Sequence, residues 1–201
     1  MSVTLPPINR GTGAGGAATN ISGKTFEEKT SNEARLLNAG WTRHSIPGSK
    51  GKFSYFLQSP DGANTFVSQG GLKAYAAAYW SKELFRCPDE AYISSGPLGL
   101  TLKILEKKNQ TVSGSVDQKL CDGAWFKEEY AECLGNTVAS VDYAFCLSKF
   151  LKEEYQSTTK KWATMRILHQ RHGIAVLFGD DADYFGRLDQ WIQQSKIPIQ
   201  E

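Results

Sequence analysis

The chain reads as an α/β protein: a mixed central β-sheet flanked by helices on both sides. Three observations predict this. Leu100, Leu102 and Ile104 alternate with polar neighbours, as a half-buried strand is written. Phe26, Thr30, Ala34, Leu37 and Trp41 recur at helical spacing, so helical and strand patterns share one chain. Ser95-Gly96-Pro97-Leu98-Gly99 turns one short strand back onto the next, which puts an antiparallel pair into an α/β pattern.

With 201 residues, the length fits one domain able to bury a sizeable core. Residues 1–22 are expected to be a flexible Gly-rich N-terminal arm, and 23–201 a single domain. The arm has small residues and little to bury, with Arg10 as its early cation able to lie along a nucleic acid. Its Gly11-x-Gly13-x-Gly15-Gly16 run superficially resembles a phosphate loop. No strand precedes it and no Lys-Ser/Thr follows it at the right place, so that reading is set aside.

A formal charge of +2 gives no global basic field, so contact with a polyanion must come from local patches. Cys87, Cys121, Cys133 and Cys146 show no Cys-x-x-Cys spacing and are expected as reduced thiols. No apolar run long enough for a membrane span and no secretory pattern at the start are visible, and the expected location is cytoplasmic.

Taken in order, the first helix is expected over 23–41, capped by Ser22 and ended by Gly40. Gly48-Ser49-Lys50-Gly51-Lys52 is a flexible basic loop suited to a phosphate. Lys52 to Leu57 reads as a strand, Ser59-Pro60-Asp61-Gly62 as a turn, and Thr65-Phe66-Val67 as the returning strand. Gly70 to Phe85 reads as a helix burying Leu72, Tyr75, Ala76, Tyr79 and Trp80, ended by Cys87-Pro88. Ala91 to Ser94 and Leu100 to Lys108 form the hairpin.

A loop at Ser113 to Ser115 is expected to cap a helix from Val116. Val138 to Tyr155 reads as an amphipathic helix with Val141, Phe145, Leu147, Phe150 and Leu151 packed. Thr158 to His172 reads as a helix with Lys160, Lys161, Arg166 and Arg171 and no acid, a cationic face for tracking phosphates. Its edge is Trp162, Met165 and Leu168, and His169 and His172 add potential charge. Ile174 to Phe178 is an apolar strand. The acids of Gly179-Asp180-Asp181-Ala182-Asp183 are expected to cap a last helix through Gln193.

The chemistry concentrates at the hairpin. Continuing the alternation past Ile104 puts Glu106 and Lys108 on the same face and Lys107 on the other. Asp89, just before the first strand, can then stand beside Glu106. Two carboxylates and an ammonium suit phosphodiester hydrolysis, since Mg²⁺ binds through one or two carboxylates plus substrate phosphate, and a neighbouring lysine offsets developing charge.

Pro88-Asp89, sixteen residues and Glu106-Lys107-Lys108 resemble the signature of the PD-(D/E)xK nuclease superfamily, which includes many type II restriction endonucleases. Gly23-x-x-Phe26-Glu27 before Gly40-Trp41 is similar to the helix that opens the core of many members, where an early glutamate supports the metal. Glu27 is the direct match, with Glu28 and Glu33 as alternatives.

The resemblance covers roughly residues 22–125. It implies a restriction-endonuclease-like core and a Mg²⁺-dependent endodeoxyribonuclease. Asp89 and Glu106 would hold the metal, Glu27 would support it, and Lys108 would position or activate the attacking water. A type II enzyme acting on double-stranded DNA as a homodimer is the leading expectation. Gln110, Lys119, Lys160, Lys161, Arg166 and Arg171 are the candidate DNA contacts. A structure-specific repair or recombination nuclease and a non-catalytic DNA-binding module are the alternatives.

Overall fold

A computed structural model describes residues 16–111 and 116–194, with side chains from residue 23 onward. The expected arm up to residue 15, including Arg10, and the loop at Ser113 to Ser115 lie outside the described residues.

Seven strands form one mixed sheet whose spatial order follows the chain, β1 to β7. They are β1 (Thr42–Ser45), β2 (Tyr55–Gln58), β3 (Asn64–Ser68), β4 (Glu90–Gly96), β5 (Gly99–Lys108), β6 (Ser140–Leu147) and β7 (Ile174–Phe178). The first five make an antiparallel meander. Strands β5, β6 and β7 run parallel, with helices supplying the crossovers that parallel pairing requires.

The helices are α1 (Gly16–Lys29), α2 (Glu33–Asn38), α3 (Gly71–Tyr75), α4 (Val116–Cys121), α5 (Gly123–Leu134), α6 (Lys149–Gln156), α7 (Lys160–Arg171) and α8 (Tyr184–Gln193). On one face, Phe26, Leu36, Tyr184, Leu188 and Trp191 from α1, α2 and α8 bury against Leu57, Phe66, Tyr92, Leu105, Ala144 and Cys146. The other face takes Leu72, Leu120, Tyr130, Leu134, Leu151, Trp162 and Met165 from α3 to α7, packed on Ile93, Leu102, Ile104, Tyr143 and Phe145. Helices on both sides of a mixed sheet are therefore as expected.

Several boundaries differ, each for a physical reason. The first helix is two helices, and it starts earlier: Gly16 to Ser22 are helical rather than part of an arm, and Ser22 lies inside α1. The break follows Lys29. Buried Thr30 turns its hydroxyl onto the Phe26 carbonyl at 2.7 Å, and the Asn32 N–H leaves the helix to donate to Glu90 Oε1 at 3.0 Å. Gly40 does end α2 as expected. At φ +88° it lets Trp41 N–H reach the Leu36 carbonyl and its own N–H reach that of Leu37, a Schellman closure.

The expected helix from Gly70 to Phe85 stops at Trp80. It ends in a π-helical turn, Ala76–Trp80, with Ser81 left-handed at φ 54°. Tyr79 is exposed rather than core, although its ring meets those of Phe56 and Tyr75.

Val138 to Tyr155 is not one helix. Ser140–Leu147 is a strand buried on both faces, and only Lys149–Gln156 is helical. A central parallel strand presents apolar side chains to both layers, so no period of two appears. The edge strand β1, all exposed, had no apolar pattern to announce it.

The acids after β7 also act differently. Asp180 Oδ2 accepts from Lys149 N–H at 2.7 Å and Oδ1 from Lys29 Nζ at 2.7 Å, so it serves the start of α6 and ties down α1. Asp181 holds Lys152, and Asp183 does stand at the N-cap position of α8, but its side chain pairs with Arg187 instead of capping a backbone N–H.

Gly179 fixes where α1 lies. A Cβ there would stand 2.6 Å from Thr30 Cγ2 and 2.7 Å from Phe26 Cζ and Cys146 Sγ. Only a glycine lets α1 approach the end of β7 this closely.

Candidate active site

Strands β4 and β5 form a hairpin with Gly96 opposite Gly99 and Glu90 opposite Leu105. One step further along the register sets Asp89 against Glu106. The end is pinned: Lys107 N–H donates to Asp89 Oδ2 at 2.6 Å. Parity works as the alternation predicts. Leu102 and Ile104 enter the α3–α7 core, Glu106 and Lys108 continue that face, and Lys107 points to the α1 side.

Lys108 Nζ lies 2.7 Å from Glu106 Oε2, both side chains mostly buried. Burial raises the Glu106 pKa, Lys108 opposes the rise, and Asp89 adds to it through its own charge. Glu27, in the last turn of α1, is also raised, first by burial and then by Asp89, against the pull of Lys107 and Lys108. The charge of Asp89 thus acts on both glutamates.

Glu27 and Asp89 share the wall of a cavity of about 420 Å³, with Lys24, Lys52 and Gln69 around them. Glu28 and Glu33 reach the same cavity, but Glu28 pairs with Lys24 at 3.8 Å in solvent. Glu33 is engaged by Tyr55 Oη at 2.8 Å and Arg43 Nη2 at 2.6 Å. Glu27 makes no such pair, and the charge of Asp89 helps to raise its pKa.

Beneath this layer lies a buried network that sequence reasoning missed. Lys107 Nζ donates to Glu90 Oε1 at 2.7 Å and to the Glu27 carbonyl at 3.2 Å. Tyr92 Oη donates to Glu90 Oε2 at 2.5 Å, and Asn32 Nδ2 donates to Tyr92 Oη at 3.2 Å. The sequence showed only that Lys107 faces away from Glu106. Its burial depends on Glu90 and α1, which no local pattern reveals.

Arg86 was missed as well. It sits 4.0 Å over the Phe126 ring and pairs with Glu129 at 2.9 Å, and its charge lowers the Glu106 pKa. The signal was available in Arg86-Cys87-Pro88-Asp89, three residues from the first carboxylate.

Among the described residues, no three His, Cys, Asp or Glu side chains converge as a self-sufficient metal cage. Mg²⁺ does not require one, since it keeps waters and uses one or two carboxylates plus phosphate. Asp89 and Glu106 offer oxygens of the type such an ion takes, and the charge of Asp89 helps to raise the Glu106 pKa.

The proposed DNA contacts do not all gather here. Strand β5 ends at Lys108, and Gln110 turns aside: its N–H and carbonyl are both bonded by Ser148 Oγ, and it faces a small cavity shared with Asp117, Lys161 and Trp162. Gln110, expected as a DNA contact, therefore does not continue the face of Glu106 and Lys108. Lys119, Lys160 and Arg171 are exposed. Lys161 is exposed too but pairs with Asp117.

Arg166 is half-buried and donates through Nη1 to the carbonyls of Tyr155 and Ser157. His169 adds no surface charge: it is buried, and its ring lies between the Leu120 carbonyl and Tyr155 Oη.

Comparison with protein-family models, curated proteins and solved structures finds no match to the chain. Among the described residues, no helix is long and apolar enough to cross a membrane.

Proposed function

We propose that the chain is a Mg²⁺-dependent endodeoxyribonuclease with a restriction-endonuclease-like core. The observation that carries this is the pinned hairpin end. Asp89 is bonded to the backbone of β5 at Lys107, Glu106 lies in the neighbouring register position, and Lys108 Nζ is held against Glu106.

Mg²⁺ held by Asp89 and Glu106 would polarise the scissile phosphate and acidify a bound water. Lys108 would orient that water and offset charge on the phosphate oxygens. Glu27, its pKa raised beside Asp89, would accept a hydrogen bond or proton from the water. Exposed Lys160, Lys161, Lys119 and Arg171 would track the backbone of double-stranded DNA away from the cut. Cutting of a short specific duplex sequence by a homodimer, as in type II restriction enzymes, is the leading form of this proposal. A structure-specific nuclease would use the same four side chains.

A plasmid digest with Mg²⁺, with and without chelator, tests the proposal. Discrete metal-dependent bands support site-specific cutting. Cleavage confined to branched or nicked substrates supports the structure-specific form. DNA binding without cleavage under any divalent ion overturns the nuclease reading in favour of a binding module.

A further inference from the structure

The loop joining β1 to β2, residues 46–54, leaves the sheet at the same end as the candidate active site. The register shows this. Ser45 stands opposite Tyr55, Ser68 opposite Glu90, and Glu90 opposite Leu105. Strand direction alternates across the meander, so the end of β1, the start of β2, the end of β3 and the start of β4 lie together. Glu106 and Lys108, at the end of β5, lie there too.

Hydrogen bonds hold this loop in one shape. Ile46 N–H donates to the Ser54 carbonyl at 3.0 Å and closes its base. Inside that closure Ser54 N–H donates to the Gly51 carbonyl at 3.3 Å, and the Ser49 and Ser54 hydroxyls share a hydrogen bond at 2.8 Å. Lys50 and Lys52 are exposed on it. Lys52 Nζ lies 5.0 Å from the centre of the Phe53 ring, and both residues line the cavity that Glu27 and Asp89 share.

The other lysines of that cavity are already paired: Lys107 with Glu90, and Lys24 with Glu28. Among the described residues, Lys52 has no carboxylate partner. A wall of carboxylates repels a polyanion unless a cation stands ready to offset it, and Lys52 is placed to do so beside Asp89. The lysines of α7 cannot serve here, because α7 packs on the opposite face of the sheet from α1.

We infer that the β1–β2 loop is a clamp on the backbone of duplex DNA, with Lys52 on a phosphate of the strand held at Asp89 and Lys50 on a neighbouring one. The inference rests on the nuclease reading for its partner. Strand β2 lies three places from β5 in the sheet, about 14 Å at roughly 4.8 Å each. The duplex rises about 3.4 Å per step, so the clamped phosphates fall within about four nucleotides of the cut. DNA lying across this end of the sheet is then gripped on both sides, by the loop on the α1 side and by the exposed lysines of α7 on the other.

The test measures binding of the full chain to a fluorescently labelled duplex oligonucleotide by anisotropy, over a series of salt concentrations, with chelator present so that nothing is cut. Each phosphate contact adds about 0.9 to the slope of log affinity against log salt. Lys52→Ala should lower the slope by about that amount and weaken binding about threefold to tenfold at low salt. Lys50→Ala with Lys52→Ala should lose about twice as much slope, and Lys52→Arg should keep the parental value. Lys82 Nζ lies beside Gly135, in the turn leading to the start of β6, at the opposite end of the sheet. Lys82→Ala should therefore leave the slope unchanged. An unaltered slope in Lys52→Ala overturns the inference, and so does an equal loss in Lys82→Ala, which would mark a general charge effect. The plasmid digest on the same preparations keeps the two readings apart. A parent chain that binds through Lys52 and never cuts keeps the clamp and loses the nuclease. One that cuts while Lys52→Ala keeps its slope loses the clamp alone, and one that binds no duplex loses both.

Discussion

The ammonium of Lys107 lies 2.7 Å from Glu90 Oε1 with both side chains almost wholly out of solvent, and it also donates to the Glu27 carbonyl. One charge pair thus joins β5, β4 and the last turn of α1, the three elements that present the candidate site. Removing one member leaves the other buried without compensation, which typically costs about 3–5 kcal/mol. Lys107→Met should lower the unfolding free energy obtained from urea titration by that order, and Lys107→Met with Glu90→Leu should recover much of the loss. A single variant as stable as the parent chain would show that the pair anchors nothing.

Lys108 makes the opposite case. Its pair with Glu106 keeps side-chain exposures of 19% and 17%, so a charge left behind can still reach water and the stability at stake is below that of the Lys107–Glu90 pair. Lys108→Ala should therefore fold normally, bind DNA with little change and cut at least a hundredfold more slowly. Filter binding and single-turnover cleavage on the same preparation check this. Undiminished cleavage would remove Lys108 from the mechanism.

His169 sets an acid limit on the α7 side of the core. Its Nε2 is 2.8 Å from the Leu120 carbonyl, which can only accept, so Nε2 carries the proton and Nδ1 accepts from Tyr155 Oη. Burial holds its pKa below the usual 6.5; the Leu120 carbonyl opposes this and His172 adds to it. The folded state binds fewer protons than the unfolded state below that value, so this stabilisation is present at neutral pH and lost as pH falls. His169→Gln should flatten the fall in melting temperature below pH 6.5. A slope identical to that of the parent chain would assign the acid sensitivity elsewhere.

Gly179 tests whether α1 is held to tenths of an ångström. Gly179→Ala would force a methyl against Thr30, Phe26 and Cys146, an overpacking cost of about 1–3 kcal/mol. Because Phe26 precedes Glu27, cleavage should fall by more than the stability loss explains. Cleavage well below the melting temperature, compared with unfolding on the same variant, separates the two effects.

The sequence carried the hairpin well, because its information is local: alternation over Leu100, Leu102 and Ile104 fixes which face Glu106 and Lys108 occupy, and Ser-Gly-Pro fixes the turn. It misread Ser140–Leu147, since apolar residues on both faces of a central strand look the same as a helix stripe over eight residues. It joined α1 to α2 because Thr30 and Asn32 do not break a helix by themselves; the break is made by Glu90, remote in sequence. Arg166 and His169 were read as a cationic surface because composition cannot tell an exposed cation from one spent on a carbonyl.

Strand order that follows chain order has a kinetic meaning. Short connections join β1 to β2, β2 to β3 and β4 to β5, whereas residues 69–89, with α3, separate β3 from β4; loop closure is least costly for nearby segments. The β4–β5 hairpin, with two residues at its tip, is the shortest of these closures. Asp89 and Glu106 would then be brought side by side early, before β6 and β7 dock through their longer crossovers. Pulsed hydrogen exchange during refolding should protect amides of 91–105 ahead of those of 141–147 and 174–178. The chain would assemble its chemistry first and its supports afterwards.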